Sequence, residues 1–226
     1  MSRTFRKILV CFIAVFAVSA VAASAASAAA PEFKPAKGTF PVKFTSTSGT
    51  STLRGTGVAI VCTSDSNEGQ ITTAKTVTKL VVKFLGCKSG TSCKVHSKGN
   101  VNEEEIVTNE LEGKLSPVAK AEAASEVGLD VFPDGKKGAY VTLEGTAECI
   151  LTTQVTGSVI GEVKPTHVSQ NTGEVIFLAK GTGLLKQKIL KDVEEPEDTL
   201  KAFGVSVSEE TTDMITYAGA EKVEVT

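Results

Sequence analysis

Tryptophan is absent from this 226-residue chain, tyrosine occurs only at Tyr140 and Tyr217, and Arg54 is the sole arginine after the first six residues. Each scarcity argues against a class of function. Carbohydrate sites stack sugar rings on exposed aromatics, and few are available here beyond ten phenylalanines. Phosphate-backbone binding needs clustered Lys and Arg, so one arginine in an acidic chain argues against nucleic acid as a partner. No basic amphipathic stretch reads as a membrane-surface helix.

The catalytic and metal motifs are missing as well. There is no G-x-S-x-G elbow, no H-E-x-x-H pair and no twelve-residue calcium loop. His96 and His167 are the only histidines and share no local ligand spacing. Glu103-Glu104-Glu105 and the run from Glu194 to Asp198 are candidates for a carboxylate acid/base pair by abundance alone. Adjacent acids of this kind read as solvated runs. Asp65-Ser66-Asn67-Glu68-Gly69 offers oxygen ligands in the manner of a calcium loop, but its composition reads as a turn. No catalytic, cofactor-binding or metal-binding residue is therefore expected, and no cofactor. Enzymatic activity is the less favoured class.

What is present begins with a targeting signature. Arg3, Arg6 and Lys7 precede an apolar run from Ile8 to Val21, and an Ala/Ser tract follows to Ala30. A basic start, an apolar centre and small residues at an A-x-A site describe a secretory signal peptide. The run is shorter than the ~20 residues of a spanning helix. Cleavage after Ala28 gives a signal at 1–28 and a single domain at 29–226, with no membrane span after cleavage. It takes the formal charge from −2, by three positive charges, to −5. Cys11 leaves with the signal. Cys62, Cys87, Cys93 and Cys149 remain, and an even count in an exported chain points to two disulfides. Their spacings lack the paired knuckles of a zinc site. Proximity suggests Cys87 with Cys93, which leaves Cys62 with Cys149.

The rest of the chain reads as short strands. In Val77 to Cys93, Leu80, Val82 and Phe84 alternate with Val77, Lys79, Val81, Lys83 and Leu85, the period of a half-buried strand. Lys79 and Lys83 read as edge protection. Phe40 to Phe44 forms a first strand, and the Ser/Thr-rich Thr45 to Thr52 is a loop or polar edge strand. Gly57 to Thr63 is apolar on both faces and suits a strand covered on both sides. Ser116 to Ser125 is the one helix-like stretch. Val127 to Val131 and Tyr140 to Leu143 flank Phe132-Pro133-Asp134-Gly135, which predicts a hairpin. Gly157 and Gly161 share a face with Val155, Val159 and Val163, a sign of close approach or bulges. Gly173 to Ala179 and Leu184 to Leu190 give two more strands, and Phe203 to Val207, Met214 to Tyr217 and Val223 to Val225 close the chain. The expected fold is all-β, a single antiparallel sandwich or barrel-like domain with two disulfides.

The segments TGVAIVCTSDSNEGQI, VVKFLGCKSGTSC and TGSVIGEVKP resemble those of a group of uncharacterised, secreted, β-rich proteins of soil actinobacteria. The resemblance covers most of the chain after the signal. It implies an extracellular or cell-wall-associated setting and brings no activity or functional residues. The expectation is a secreted, non-catalytic interaction or structural protein with an extracellular or cell-envelope partner. A hydrolase acting on cell-wall or environmental polymer is one alternative. A small-ligand carrier is the other, if the strands close into a barrel with an open mouth.

Overall fold

Period-two alternation becomes strand throughout the computed structural model, which describes residues 30–119, 126–136, 138–147, 149–177, 189–190 and 200–226. In chain order the strands are β1 (Phe33–Pro35), β2 (Val42–Ser48), β3 (Ser51–Gly55), β4 (Val58–Cys62), β5 (Ser64–Ile71), β6 (Thr76–Leu85), β7 (Lys88–Ser89), β8 (Cys93–Ser97), β9 (Glu105–Val107) and β10 (Leu111–Ala119). They continue as β11 (Val127–Pro133), β12 (Ala139–Gly145), β13 (Thr152–Thr156), β14 (Val159–Lys164), β15 (Thr172–Phe177), β16 (Ile189–Leu190), β17 (Lys201–Ala202), β18 (Val205–Tyr217) and β19 (Val223–Val225). The all-β fold class expected from the sequence is correct, and of its two forms the barrel is the one found. The signal-like segment 1–28, with Cys11, and the acidic run 194–198 lie outside the described residues.

Two closed rings follow from the pairings, all of them antiparallel. The first runs β2–β5–β6–β10–β11–β14–β15–β18 and returns to β2. The second runs β3–β4–β7–β8–β12–β13–β17–β18 and returns to β3. Ring closure leaves no unpaired edge among the members, which is how an all-β chain protects its backbone donors and acceptors. The rings stack end to end, because β2 and β3, β4 and β5, β6 and β7, and β13 and β14 are each separated by at most two residues. β18 belongs to both. Val207 to Glu210 pair with β3, Thr211 to Thr216 with β15, and Met214 to Tyr217 with β2. A separate ribbon of β1 and β19 adds Phe33, Val223 and Val225 to the core.

Several elements depart from the sequence reading, each for a local reason. Val77 is buried rather than on the outer face. Lys79, at φ 52, sits in a bulge that shifts the register against both β5 and β10 and so resets the alternation. β6 is not an edge, since it pairs with β5, β9 and β10, and Lys83 makes an ion pair with Glu105 instead of guarding a border. In β4 Ile60 and Cys62 are buried while Val61 is exposed, so the strand is covered on one side only, as a barrel wall requires. Residues 116–119 of the helix-like stretch are strand β10, paired with β11 and β16, and 120–125 lie outside the described residues.

The Asp134-Gly135 reversal exists, with Gly135 at φ 65. It does not make a hairpin. β11 pairs in the first ring and β12 in the second, so the chain crosses between rings there. Gly161 does mark a close approach, though the neighbours are side chains: a Cβ there would lie 2.3 Å from Val175 Cγ1 and 2.9 Å from Phe177.

Candidate functional site

Polar residues gather where they are least expected, on the inner wall at the junction of the two rings. The cause is strand register. On β18, Val207, Glu209, Thr211, Asp213, Ile215 and Tyr217 share one face, and the flanking Val207 and Tyr217 are buried. β2 runs beside this stretch and presents Ser46 and Ser48. β5, on the far side of β2, pairs Asn67 with Ser46 and Asp65 with Ser48. Alternation thus carries Asp65, Asn67, Glu209, Thr211 and Asp213 toward the same interior as Leu80 and Phe177.

The cluster is tightly bonded. Ser48 Oγ donates to Asp65 Oδ2 in a short hydrogen bond, and Ser51 Oγ lies 2.6 Å from the same oxygen. Ser51 Oγ also lies 3.1 Å from Thr211 Oγ1, which accepts from it. Asn67 Nδ2 donates to Ser46 Oγ at 2.8 Å and to Asp213 Oδ1 at 2.9 Å. Asp65, Asn67 and Asp213 are 3, 7 and 7 % exposed, so these groups have left water. Asp65 Oδ1 and Asn67 Oδ1 face no hydrogen-bond donor among the described residues. Burial, then the charge of Asp65 and a hydrogen bond to it, then the charge of Glu209, push the Asp213 carboxyl up to about 9. The bond from Asn67 pulls the other way and is outweighed. Asp213 therefore holds a proton at neutral pH, and that proton is the donor that Asp65 lacks.

Beside this cluster lies a cavity of about 120 Å³ that reaches into both rings. Its wall is largely apolar, from Phe44, Leu80, Leu129 and Phe177 in the first ring to Leu143 and Val155 in the second. Asn67, Glu209 and Asp213 supply its polar side, and no lysine, arginine or histidine lines it among the described residues. Val82, Phe84 and Ile215 also line it and are only partly buried, so the wall is incompletely covered. Tyr140 is fixed at the ring junction by donating to the Val131 carbonyl.

The residues singled out in the sequence fall elsewhere or change role. Asp65 to Gly69 is neither turn nor calcium loop but the middle of β5, with Asp65 and Asn67 buried and Ser66 and Glu68 exposed. Among the described residues no group of three or more His, Cys, Asp or Glu is placed to hold a metal ion. Glu103, Glu104 and Glu105 turn to Lys94, Lys88 and Lys83 at 3.2, 3.2 and 3.0 Å. The hydrogen bond from Lys83 holds the Glu105 carboxyl below its usual value, opposite to what a general acid needs. His96 lies on β8 beside Glu144 of β12, and His167 sits in the β14–β15 loop with its N–H on the Val225 carbonyl, so the two have unrelated settings. Glu209, Thr211 and Asp213 were missed because a polar run resembles a break between strands. Their spacing of two, in step with Val207 and Tyr217, was the available signal.

All four cysteines among the described residues form disulfides, but the pairing inferred from proximity is wrong. Cys62 bonds Cys87, and Cys93 bonds Cys149. β7 and β8 pair Ser89 with Cys93, and the next turn of the ladder sets Cys87 against Val95, which donates to the Cys87 carbonyl at 3.0 Å. On its other side β7 pairs with β4, which brings Cys87 to Cys62 with Cα atoms 4.0 Å apart. Cys149 folds back over Gly145, where a Cβ would meet its carbonyl oxygen at 2.6 Å.

Among the described residues no helix is long and apolar enough to cross a membrane. Comparison with protein-family models, with curated proteins and with solved structures finds no match for this chain.

Proposed function

We propose that this chain is an exported, non-catalytic binding protein that holds one small, largely apolar molecule inside its barrel. The observation that carries this reading is the cavity of about 120 Å³, apolar on most sides and polar on one. Eight-stranded barrels have interiors just wide enough to be filled by side chains or to hold a single small ligand. An apolar protein cavity of roughly 150 Å³ takes up benzene, so this volume suits a molecule near that size. Polar groups converging on one side of an apolar chamber are the common pattern of small-molecule sites.

The two disulfides and the signal-like first 28 residues support an extracytoplasmic setting, as does the resemblance to secreted actinobacterial proteins. A hydrolase draws no support from the Glu103–Glu105 run, whose carboxylates are engaged with lysines. This is the small-ligand carrier that the sequence reading holds as an alternative, with uptake of a small molecule within the barrel rather than docking on its outer face.

The test is calorimetric titration of residues 29–226 with toluene, benzyl alcohol and benzylamine, beside the same titrations of Val82→Phe. The expected result is saturable one-to-one binding of at least one probe, weakened at least tenfold when the phenylalanine fills the chamber. Absence of binding by all three, or identical binding by the filled variant, overturns the reading.

A further inference from the structure

Resting on the barrel interior as a ligand chamber, we infer that its ligand is a small neutral alcohol, with its hydroxyl held between Asn67 Oδ1 and Ser46 Oγ and its apolar body in the cavity.

The first ground is a buried acceptor. Asn67 lines the cavity and is 7 % exposed. Its amide nitrogen donates to Ser46 Oγ at 2.8 Å and to Asp213 Oδ1 at 2.9 Å, which commits both of its N–H bonds. Those partners stand on β2 and β18, so Oδ1, the other arm of the planar amide, turns away from them. On the other side of β5 is β6, where Val82, the register partner of Asn67, and Leu80 line the cavity with apolar surface. Oδ1 therefore has no hydrogen-bond partner among the described residues. Burying an acceptor unpaired is costly, and a ligand that donates recovers that cost.

The second ground is a buried donor beside it. Ser46 also lines the cavity and is 4 % exposed. In register it stands between Asn67 of β5 and Ile215 of β18, both of them lining residues. Its oxygen accepts from Asn67, and its own proton has no acceptor among the described residues. A hydroxyl proton turns about the C–O bond and can meet a ligand.

One acceptor and one donor side by side match a group that gives one hydrogen bond and takes one at a single atom, as a hydroxyl does. A carboxylate offers Asn67 no donor, an ammonium offers Ser46 no acceptor, and an ether or ketone only accepts. A trans amide does both, but its N–H and C=O point opposite ways, whereas Asn67 and Ser46 are themselves joined by a hydrogen bond. Binding exchanges hydrogen bonds alone. The alcohol's O–H leaves water for Asn67 Oδ1, its oxygen leaves water for the Ser46 proton, and no covalent bond changes.

The experiment compares benzyl alcohol, ethylbenzene and toluene on residues 29–226 by calorimetry. Ethylbenzene has the size of benzyl alcohol without its hydroxyl, and toluene is the smaller body alone. The expected result is at least tenfold tighter binding of benzyl alcohol than of ethylbenzene, because a site built to hydrogen-bond a hydroxyl rejects the analogue that lacks one. Ser46→Ala removes the donor and should weaken benzyl alcohol about fivefold while toluene binds as before. Asn67→Leu removes the acceptor at similar size and should abolish the preference, with toluene binding reporting that the chamber has survived the substitution. If ethylbenzene or toluene binds as well as benzyl alcohol, the hydroxyl inference is overturned while the chamber stands. A preference for benzyl alcohol undiminished by Ser46→Ala overturns it too. Failure of all three probes overturns the chamber itself.

Discussion

The first ring is joined by long ladders and carries no disulfide, whereas the second is joined in places by very short ones and carries both. β2 with β5 and β10 with β11 each share seven partner pairs. β4 with β7 and β7 with β8 share two each, and β13 with β17 shares one. Ladders that short supply few hydrogen bonds to offset the ordering of their strands. Cys62–Cys87 spans the β4–β7 joint, and Cys93–Cys149 ties β8 to the segment after β12. The β13–β17 joint is held otherwise, by the buried Leu200 and Ala202 and by Phe203 N–H donating to Thr153 Oγ1 at 2.7 Å. One ring is held by its own backbone, and the other needs cross-links.

The largest consequence concerns the long-range bridge. Replacing Cys93 and Cys149 with Ala should cost about 4 kcal/mol, and replacing Cys62 and Cys87 about 3.5 kcal/mol, from the lost restraint on the unfolded chain. Denaturant unfolding measures both. Hydrogen exchange in the double variants should accelerate first in β7, β8 and β12. Equal acceleration in β10 and β11 would mean that the two rings are not held in separate ways.

The next effect belongs to the inner wall. Asp213 has a folded-state value of about 9 against an ordinary 3.8, so the folded chain binds the extra proton between those limits. Its contribution is least destabilising below about pH 4, and stability declines as pH rises toward 9. The slope approaches about 1.4 kcal/mol per pH unit, or about 4 kcal/mol from pH 5 to pH 8. Asp213→Asn should flatten it and be the more stable protein at pH 8. Thermal melts across that range decide the matter, and an unchanged slope would place the titrating proton elsewhere.

Packing of the first ring gives a smaller effect. Gly161→Ala should cost about 2 kcal/mol, because its methyl meets Val175 Cγ1 with Phe177 close by. The double variant with Val175→Ala should recover part of the loss, and a melting-temperature cycle of the four proteins checks it. The smallest effect is on the outer surface. Lys88→Ala removes a half-exposed ion pair with Glu104 and should shift stability by no more than about 0.5 kcal/mol. A larger loss would assign the β4–β7 joint a support other than its disulfide.

Legibility from sequence followed the same division. Strands whose inward face is apolar were plain: Val127, Leu129 and Val131 of β11, and Leu80, Val82 and Phe84 of β6, all face the interior. Strands whose inward face is polar were hidden. Ser64 to Gly69 looked like a turn, and Glu209 to Asp213 looked like a gap between two short strands, although both are continuous barrel wall. Propensity could not identify them, because the pairing that makes Asp65 and Asp213 neighbours joins residues far apart in the chain. The disulfides failed for a related reason. Nearness in sequence favoured Cys87 with Cys93, but antiparallel register sets Cys87 against Val95 and leaves Cys62 as its partner across β4. Val77 was misplaced by a single bulge at Lys79, which one residue's φ controls and alternation alone does not reveal.

β18 also sets the order of events in assembly. It is the last long strand of the chain, and β2 and β3, among the first, pair with it across the whole intervening sequence. Until residues 205–217 have been synthesised neither ring can close. A chain that stops between Ala202 and Val205 carries open edges on β2, β3, β15 and β17 at once. Such edges recruit other chains, so a nascent or truncated form ending before Val205 is expected to aggregate rather than populate a smaller folded unit. Long-range closure of this kind is also slow, because the loop entropy is lost before the final contacts form.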